Sequence, residues 1–495
     1  MRVLIFHGYL LRGTGSNVYN AELGAAFVRG GHEVHMLCQE ADPLSLEWVD
    51  AVGDWDTGEL RVTAREEPVR ATVYRPAIGR VLPLYVADRY EGFDAKPFQD
   101  LSQAELEHYI EANVAAVRDV VARARPDVAL ANHLVMGPLI LARALGGDVP
   151  YAVKVHGSDL TFTVGPYPRF RPHAAEGAER ANGLLVGSRH TAEQLWGELD
   201  DPALAAKTRL GPPWVDVARF TPGPGDLRGL RERLDATAPT EGSSFARDPQ
   251  EAVAALDAIS GGDRLIVYVG KLIASKGVEL LLAAFPSVLA REPRARLVIV
   301  GFGAFRPGLE ALVAQLDAGD VAAARATRAE DGRELPQLAA FLDAVGGDYP
   351  PARIGDRVHF AGRLDHDELT ALLPAAEAMA VTSTSPEAFG MVAAEAAACG
   401  ALPVVADHSG LGEVARTLRE AVPEAARGWL SFTLGDTSVV ELADALSGWL
   451  SAPEELRART RETIVRVTRE HYSWDGVART VIAAAQGELD GLPTV

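Results

Sequence analysis

The stretch that decides the fold is residues 385–410, SPEAFGMVAAEAAACGALPVVADHSG. Its pattern predicts a loop that holds Glu387, a helix that begins near Phe389 and Gly390 and ends at Gly400, and then a strand. The first N–H groups of a helix have no partner within the helix and attract anions. We therefore expect a diphosphate site at this helix start, where Gly390 lets a ligand approach the backbone.

Two carboxylates accompany this helix start. Glu387, just before the helix, is placed to accept hydrogen bonds from sugar hydroxyls, whereas Glu395 lies within an otherwise apolar helix and must be hydrogen-bonded or solvated there. A ribose diol would satisfy Glu395. The alternative is that Glu387 is a solvated loop residue and Glu395 pairs with a neighbouring backbone group or arginine, and either glutamate alone favours that alternative.

A second informative stretch is residues 267–285, VYVGKLIASKGVELLLAAF. Lys271 leaves the end of a predicted buried strand, and Lys276 precedes a helix that starts near Gly277. Two cations at the carboxyl edge of a parallel sheet would neutralise a departing diphosphate. Either lysine alone is better explained as a surface residue of a βα loop, but the pairing with the acidic stretch favours a site.

Together these motifs resemble a known donor site. The spacings GK-x4-KG and E-x7-E are similar to those of family 4 retaining glycosyltransferases, which belong to the glycogen- and sucrose-synthase-like superfamily. The resemblance implies the α/β GT-B fold, with two Rossmann-like domains that face a central cleft and a carboxyl-terminal helix that crosses back to the amino-terminal domain. Lys271 stands where the family usually has arginine, which keeps the charge but loses the bidentate geometry.

The resemblance also implies an activity. It predicts transfer of a hexosyl group from a nucleotide-diphosphate sugar to a hydroxyl acceptor that the sequence does not identify, with retention at the anomeric carbon. UDP-sugar is the favoured donor and GDP-mannose the next. No metal and no cofactor is expected beyond the nucleotide sugar as co-substrate. The predicted catalytic residues are His156, Lys271, Lys276 and Glu387. The predicted substrate-binding residues are Gly13, Thr14, Gly15, Asp159, Phe389, Gly390, Met391 and Glu395.

Two of these predictions concern the amino-terminal half. His156 follows a predicted strand in VHGSDL; a lone histidine is more often a core or surface residue, but the resemblance makes it the family's histidine that approaches the transferred sugar. Asp159 is favoured as a helix cap rather than a catalytic group. Residues 13–15 occupy the place of the family's Gly-rich loop, and the alternative for them is a tight turn before a helix.

The order of predicted elements indicates two domains. A strand at 2–6, a helix at 17–29 and a strand at 33–37 begin one doubly wound sheet, and a second αβ series follows from 265 to 406. We expect an acceptor-binding domain at 1–215, a linker and insertion at 216–262, and a donor-binding domain at 263–473. A final helix at about 474–488 is expected to pack back on the first domain, and a second insertion is expected at 317–355.

Composition excludes several other classes. The net charge of −20 argues against nucleic-acid binding, which needs clustered lysine and arginine. Cys38 and Cys399 offer no disulfide framework, which is typical of a reducing, cytoplasmic setting. No stretch has the length of a membrane span, although peripheral membrane contact stays open. The sequence says nothing of the oligomeric state.

Three other functions account for parts of the sequence. A phosphorylase or epimerase could share the fold, but a phosphorylase needs a cofactor lysine that no segment marks. A non-catalytic sugar-nucleotide-binding or regulatory protein would keep the donor motifs, and the presence of His156 argues against it. An NAD-dependent enzyme would need G-x-G-x-x-G directly after the first strand, and GTGS lacks that pattern.

Overall fold

The computed structural model describes residues 1–13, 15–85, 92–211, 215–240, 247–346, 349, 353–387 and 389–495. The chain divides into two compact units. Unit 1 is Met1–Pro213 with Trp474–Val495, and unit 2 is Trp214–Ser473. Thr14 and residues 213–214, at the end of the predicted first domain, lie outside the described residues.

Unit 1 is built on a nine-stranded sheet with a separate two-stranded pair. Its strands are β1 (Arg2–Phe6), β2 (Glu33–Leu37), β3 (Ala51–Asp56), β4 (Glu59–Ala64), β5 (Ala71–Arg75), β6 (Val81–Leu84), β7 (Asp94–Pro97), β8 (Val128–Asn132), β9 (Tyr151–Val155), β10 (Gly183–Val186) and β11 (Thr208–Leu210). The large sheet has the order β11-β10-β9-β8-β1-β2-β5-β3-β4, and β6 pairs with β7. Neighbouring strands are parallel except β3 and β4.

The helices of the first part of unit 1 connect these parallel strands. They are α1 (Gly15–Arg29), α2 (Gln103–Ala124), α3 (Gly137–Leu145), α4 (Arg171–Arg180), α5 (Arg189–Leu199) and α6 (Ala203–Lys207). Helix α2 begins with a capping box, in which the Ser102 side chain accepts from the backbone of Glu105 and the Glu105 side chain accepts from the backbone of Ser102. The capping box fixes where the longest helix of this group starts.

The predicted strands 2–6 and 33–37 are observed with those bounds. The hairpin of β3 and β4 was not predicted. Its two-residue turn, Thr57 and Gly58, has positive φ at both positions, as a type I′ turn requires. Strand β4, ELRVTA, is largely exposed but alternates polar and apolar residues, with Leu60 and Val62 half-buried, so the signal for a strand was present in the sequence.

Unit 2 has a six-stranded parallel sheet. Its strands are β12 (Arg264–Val269), β13 (Ala295–Val300), β14 (Val358–Gly362), β15 (Ala378–Val381), β16 (Leu402–Ala406) and β17 (Ser431–Phe432), in the order β14-β13-β12-β15-β16-β17. Strands β13, β15 and β16 are buried along their whole length, which explains why they appear in the sequence as apolar runs that only Arg296 in β13 interrupts.

Helices surround this sheet and also occur in the two predicted insertions. They are α7 (Leu227–Asp235), α8 (Pro249–Asp257), α9 (Val278–Arg291), α10 (Arg306–Asp317), α11 (Val321–Arg325), α12 (Pro336–Val345), α13 (His366–Leu372), α14 (Met391–Cys399), α15 (Ser409–Ala421), α16 (Ser438–Leu450) and α17 (Glu454–His471). Helices α7 and α8 lie within 216–262, and α11 and α12 within 317–355.

The last helix, α18 (Trp474–Gln486), belongs to unit 1 although it follows unit 2 in sequence. Nδ2 of Asn182 donates to the carbonyl of Ala485 at 2.9 Å. A Cβ at Gly183 would lie 2.7 Å from the carbonyl oxygen of Ala484, so glycine permits close packing of α18 beside the start of β10. The chain therefore leaves unit 1 and returns to it.

The strand orders locate the ligand-binding edge of each unit. In unit 1 the chain adds β2 on one side of β1 and later β8 on the other, and in unit 2 it adds β13 beside β12 and later β15 on the opposite side. Doubly wound sheets bind ligands at the carboxyl ends of the strands where the order reverses. These switch points lie between β1 and β8 and between β12 and β15.

Among the residues that the structure describes, none of the helices combines the length and the apolar character needed to cross a bilayer.

Candidate functional site

The switch point of unit 2 brings together two of the predicted catalytic residues. Lys276 follows β12 and Glu387 follows β15, and these strands are parallel neighbours through Ile266 and Ala378. Nζ of Lys276 forms an ion pair with Oε1 of Glu387. Because their side chains are 30% and 23% exposed, the pair is reachable by a ligand from solvent.

Hydrogen bonds hold the Glu387 loop in place. Ser383 Oγ donates to Glu387 Oε1 at 2.5 Å, and the backbone N–H of Glu387 donates to Ser409 Oγ at 2.8 Å. The N–H of Gly410 donates to the carbonyl of Glu387 at 2.9 Å. The carboxylate of Glu387 is therefore oriented from the end of β15, and its backbone is held from the start of α15.

The loop of Lys276 is fixed in a similar way. Thr382 Oγ1 donates to the carbonyl of Lys276 at 2.9 Å, and the N–H of Ala274 donates to Glu330 Oε2 at 2.9 Å. Gly277 has φ +63°, and a Cβ there would overlap the carbonyl of Thr382. Only glycine allows this close approach of the two loops.

The predicted diphosphate site is the start of α14, which begins at Met391. Gly390 precedes it with φ +93°, and a Cβ at this position would overlap Cδ2 of Leu411. Phe389 is buried and its ring packs edge-on against Tyr472, with centroids 5.2 Å apart. The side chain of Phe389 therefore anchors the loop, and the backbone of this segment is what can meet a ligand.

Glu395 lies one helical turn further along α14 and is 3% exposed. Its Oε1 is 2.8 Å from Nε2 of His366, the first residue of α13. The ring of His366 packs against Phe220 at a centroid distance of 4.8 Å. The partner of Glu395 is thus a histidine, a possibility that sequence reasoning did not include.

Lys271 follows β12 and is exposed. Its backbone carbonyl accepts from the buried hydroxyl of Tyr268 at 3.2 Å. Within the described part of the chain its ammonium forms no ion pair, in contrast to Lys276. The structure therefore pairs Glu387 with Lys276 and not with Lys271.

Sequence reasoning missed a glycine pair next to this site. Gly301 and Gly303 follow β13 with φ +154° and +156°, and a Cβ on either would overlap the backbone carbonyl of Gly270 or Leu272 respectively. The N–H of Leu272 donates to the carbonyl of Phe302 at 2.7 Å. The signal was available, since GFG comes directly after a buried strand, as a ligand-edge glycine motif does.

The switch point of unit 1 carries a cluster of aromatic and polar side chains. His7 follows β1, His133 follows β8 and His156 follows β9. The ring of His133 lies 4.7 Å from that of His156, 4.4 Å from Tyr85 and 6.2 Å from His7. Of these, only His156 was assigned a role from sequence, whereas His133 was interpreted as a core or loop histidine and His7 was missed.

His156 is held by three neighbours. Tyr19 meets its ring edge-on at 4.9 Å, His133 packs on it, and Asn132 Oδ1 is 3.1 Å from its Nε2. Burial, followed by the nearby His133, Lys154 and His7, places the pKa of His156 well below its usual range. The imidazole is therefore neutral at physiological pH.

Asp159 is buried, and its carboxylate accepts hydrogen bonds from the backbone. Its carboxylate accepts from the N–H of Leu160 at 3.0 Å and from the N–H of Leu134. Burial raises its pKa to about 6, an effect that the backbone hydrogen bonds partly oppose. Asp159 joins the loops after β8 and β9, in agreement with a capping role.

The Gly-rich loop precedes α1. Gly13 has φ +96° and Gly15 is the first residue of α1, while Thr14 lies outside the described residues. The carbonyl of Arg12 accepts from Asn17 Nδ2 at 2.7 Å, and the N–H of Leu11 donates to a buried carboxylate, Glu40 Oε2, at 2.8 Å. The loop is therefore tied to both α1 and the end of β2.

Lys154 is another residue that the sequence analysis did not single out. It lies in β9, is 1% exposed and donates to the carbonyl of Gly211. Its Nζ lies 5.9 Å from the centroid of the Tyr19 ring. Burial lowers its pKa to about 7.

One cavity of unit 2 lies away from the predicted site residues. A cavity of about 910 Å³ in unit 2 is lined by Pro222, Gly400 and Arg461, at the carboxyl end of α14, and by none of the predicted site residues. Nor do the described residues bring three His, Cys, Asp or Glu side chains together in a way that could hold a metal ion.

Two family models match the sequence. The model for glycosyl transferases group 1 matches residues 252–322 and 352–464, which lie in unit 2. The model for a glycosyl transferase 4-like domain matches residues 14–200, which lie in unit 1.

Curated relatives cover most of the chain. The D-inositol 3-phosphate glycosyltransferase of Actinosynnema mirum is 30% identical over 406 residues, which are 79% of this chain and 80% of that protein. The glycogen synthase of Mycobacterium tuberculosis H37Rv is 27% identical over 373 residues, 74% of this chain and 72% of that protein.

Solved structures share the fold over nearly the whole length. Sucrose-phosphate synthase from Thermosynechococcus elongatus has a TM-score of 0.58 at 17% identity, with 98% of each chain covered. Anabaena Alr3699/HepE, solved in complex with UDP and glucose, has a TM-score of 0.57 at 16% identity and covers 98% of this chain and 99% of its own.

Proposed function

Because the chain belongs to the glycosyl transferases group 1 family and has the GT-B fold, we propose that it is a retaining, metal-independent hexosyltransferase that uses a nucleotide-diphosphate sugar. The observation that carries the proposal is the pairing of Lys276 with Glu387 at the switch point of unit 2. A cation and a carboxylate lie there together, next to the start of a helix.

The diphosphate of the donor is the leaving group. Lys276 supplies a positive charge from the loop after β12, and the N–H groups at the start of α14 supply hydrogen bonds. The exposed ammonium of Lys271 adds a second cation at the same edge of the sheet. Charge that develops on the departing phosphate is therefore stabilised by groups that are already in position.

The two glutamates bind the two sugars of the donor. Glu387 accepts hydrogen bonds from hydroxyls of the hexose, and Ser383 orients it. Glu395 accepts from the ribose, and His366 holds its carboxylate in the orientation that this contact needs. His156 of unit 1 forms a hydrogen bond with a hydroxyl of the transferred hexose.

Transfer replaces one bond at the anomeric carbon by another on the same face. The bond from the anomeric carbon to the diphosphate oxygen breaks, the acceptor oxygen forms a new bond to that carbon, and the acceptor proton passes to the departing phosphate. This route needs no general base from the protein. Binding in the correct orientation and stabilisation of the leaving group supply the rate enhancement.

UDP-glucose is the first donor to test. Alr3699/HepE has been solved with UDP and with UDP-glucose, and GDP-mannose is the next choice. The acceptor carries a hydroxyl group, and the curated relatives suggest two kinds to screen first: an inositol phosphate and an α-glucan.

The test is a thermal-shift assay of the purified protein with UDP-glucose, GDP-mannose and ADP-glucose, each with and without EDTA. We expect one donor to raise the unfolding midpoint by mass action, with no effect of EDTA, and Lys276→Ala and Glu387→Ala to abolish that shift. NMR of the transfer product should then show the anomeric configuration of the donor. Stabilisation that EDTA removes, or an inverted product, would overturn the proposal.

A further inference from the structure

Asn132 ends strand β8 at the switch point of unit 1 and is 1% exposed. In the parallel register of β8 and β9 it lies opposite Lys154, two residues before His156. Its amide oxygen Oδ1 is 3.1 Å from Nε2 of His156. A buried amide therefore contacts one nitrogen of the histidine to which we assign the sugar contact.

The chemistry of the amide determines which ring nitrogen carries the proton. As the Asn132 amide is oriented, its carbonyl oxygen faces Nε2 of His156 and only accepts hydrogen bonds, so in this orientation Nε2 is the donor. A neutral imidazole has one N–H and one lone pair. Once Nε2 carries the proton, Nδ1 is left as a hydrogen-bond acceptor.

The groups around the ring favour the neutral form. Lys154 and the imidazoles of His7 and His133 disfavour a further positive charge, and burial lowers the pKa of His156 in the same direction. The carboxylate of Asp159 lies beside His133, with 3.9 Å between Oδ2 and Nδ1 of that ring, and accepts two backbone N–H groups. The carboxylate of Asp159 therefore bonds to the backbone rather than to His156.

Aromatic packing limits rotation of the ring. The ring of Tyr19 packs against the ring of His156 at an interplanar angle of 87°, and the ring of His133 packs against it at 44°. The backbone of His133 has φ +65°, in the left-handed region that non-glycine residues rarely adopt. That conformation turns the chain directly after Asn132, beside the ring that it helps to hold.

We propose that Asn132 is a positioning residue that fixes His156 as the imidazole protonated on Nε2, so that Nδ1 accepts a hydrogen bond from a substrate hydroxyl. This inference rests on the proposed function, because it assigns the chemistry of the same histidine. A lone pair at Nδ1 attracts an O–H group and repels a phosphate oxygen. The group that His156 recognises is therefore a hydroxyl of a sugar or polyol and not a phosphate.

The direct test is the tautomer itself, read from long-range ¹H–¹⁵N NMR spectra of protein labelled with ¹⁵N-histidine. The chain has 12 histidines, and His156→Gln identifies the signal of interest by its disappearance. We expect the Nε2–H tautomer of His156 at pH 7.5 and no imidazolium down to pH 6. A ring protonated on Nδ1, or on both nitrogens, would overturn the inference.

The second test is Asn132→Leu, which keeps the size of the side chain and removes the amide. We expect His156 to show a mixture of tautomers and kcat/KM to fall about tenfold, the loss of one hydrogen bond. Asn113→Leu is the matched control, because Asn113 is equally buried but donates to the carbonyl of Tyr109 within α2. An unchanged tautomer in Asn132→Leu would contradict the proposal.

These measurements separate two kinds of failure. The tautomer is read without any substrate, so it decides the inference even if Asn132→Leu does not fold. UDP binding to unit 2 should be the same in wild type and Asn132→Leu. If no nucleotide sugar binds the wild-type protein, the proposed function fails, whatever the tautomer.

Discussion

The ammonium of Lys276 and the carboxylate of Glu387 form an ion pair although 111 residues separate them in the sequence. Each follows one of the two strands at the switch point of unit 2, so the topology of the sheet brings them together. Because the pair is partly exposed, its own contribution to stability is on the order of 1 kcal/mol or less. Its position therefore points to binding rather than to stability.

The first prediction is that Lys276→Met lowers kcat/KM about a hundredfold, because a cation that stabilises the leaving group is lost. The unfolding midpoint without ligand should change little. Steady-state kinetics and thermal denaturation give the two values. Lys96→Met is the matched control, since Lys96 pairs with Glu105 at comparable exposure on unit 1 and should leave kcat/KM unchanged. A large loss of stability with intact kinetics would assign Lys276 to the fold instead.

The two glutamates are predicted to differ in which part of the donor they sense. Glu395→Gln should lower the affinity for UDP and for UDP-glucose alike, by about tenfold, because a charge-assisted hydrogen bond to the ribose is lost. Glu387→Gln should lower the affinity for UDP-glucose and leave the affinity for UDP unchanged, because only the hexose contacts Glu387. Isothermal titration calorimetry with both ligands distinguishes the two patterns. Equal effects of the two variants on UDP would refute the assignment.

Gly390→Ala is predicted to disrupt the start of α14. Alanine at φ +93° is strained, and its Cβ would overlap Leu411, so we expect unit 2 to lose about 2 kcal/mol and the affinity for UDP to fall. Gly319→Ala is the control for backbone strain alone, because Gly319 has φ +70° with no atom within 4 Å of a Cβ. It should cost about 1 kcal/mol and leave UDP binding intact. Equal UDP affinity in both variants would argue against a ligand at Gly390.

Local patterns predicted the elements that carry the proposed donor site. Buried parallel strands such as β15 and β16 appear in the sequence as apolar runs, and Gly390 and Gly400 mark the two ends of α14, so these elements could be placed. That Lys276 and Glu387 would meet followed from the rule that parallel strands share a carboxyl edge.

Other features depended on contacts that no local pattern encodes. His366 reaches Glu395 across 29 residues from the start of another helix, and neither position carries a motif for that pairing. Lys154 interrupts a buried strand, where a charged residue contradicts the apolar pattern. Its partner, the carbonyl of Gly211, is a backbone group, which a side-chain pattern cannot reveal.

The last prediction concerns this buried lysine and the pH dependence of stability. Burial lowers the pKa of Lys154 to about 7, whereas the pKa of a lysine in the unfolded chain is about 10.4. Between these values the unfolded chain binds a proton that the folded chain has released, so stability should rise with pH, by at most about 1.4 kcal/mol per unit. Below pH 7 both states are charged and this slope disappears.

Lys154→Met should therefore remove the rise in the unfolding midpoint of unit 1 between pH 7 and 9.5, and at pH 7 it should be more stable than wild type, because methionine is buried without a charge. The lost hydrogen bond to Gly211 offsets part of that gain. Thermal denaturation at half-unit pH intervals measures the slope. Lys96→Met is again the control, because its pairing with Glu105 raises the pKa of Lys96 out of this range. A wild-type midpoint that is flat or falls from pH 7 to 9.5, with the same profile in Lys154→Met, would show that Lys154 stays charged in the folded protein.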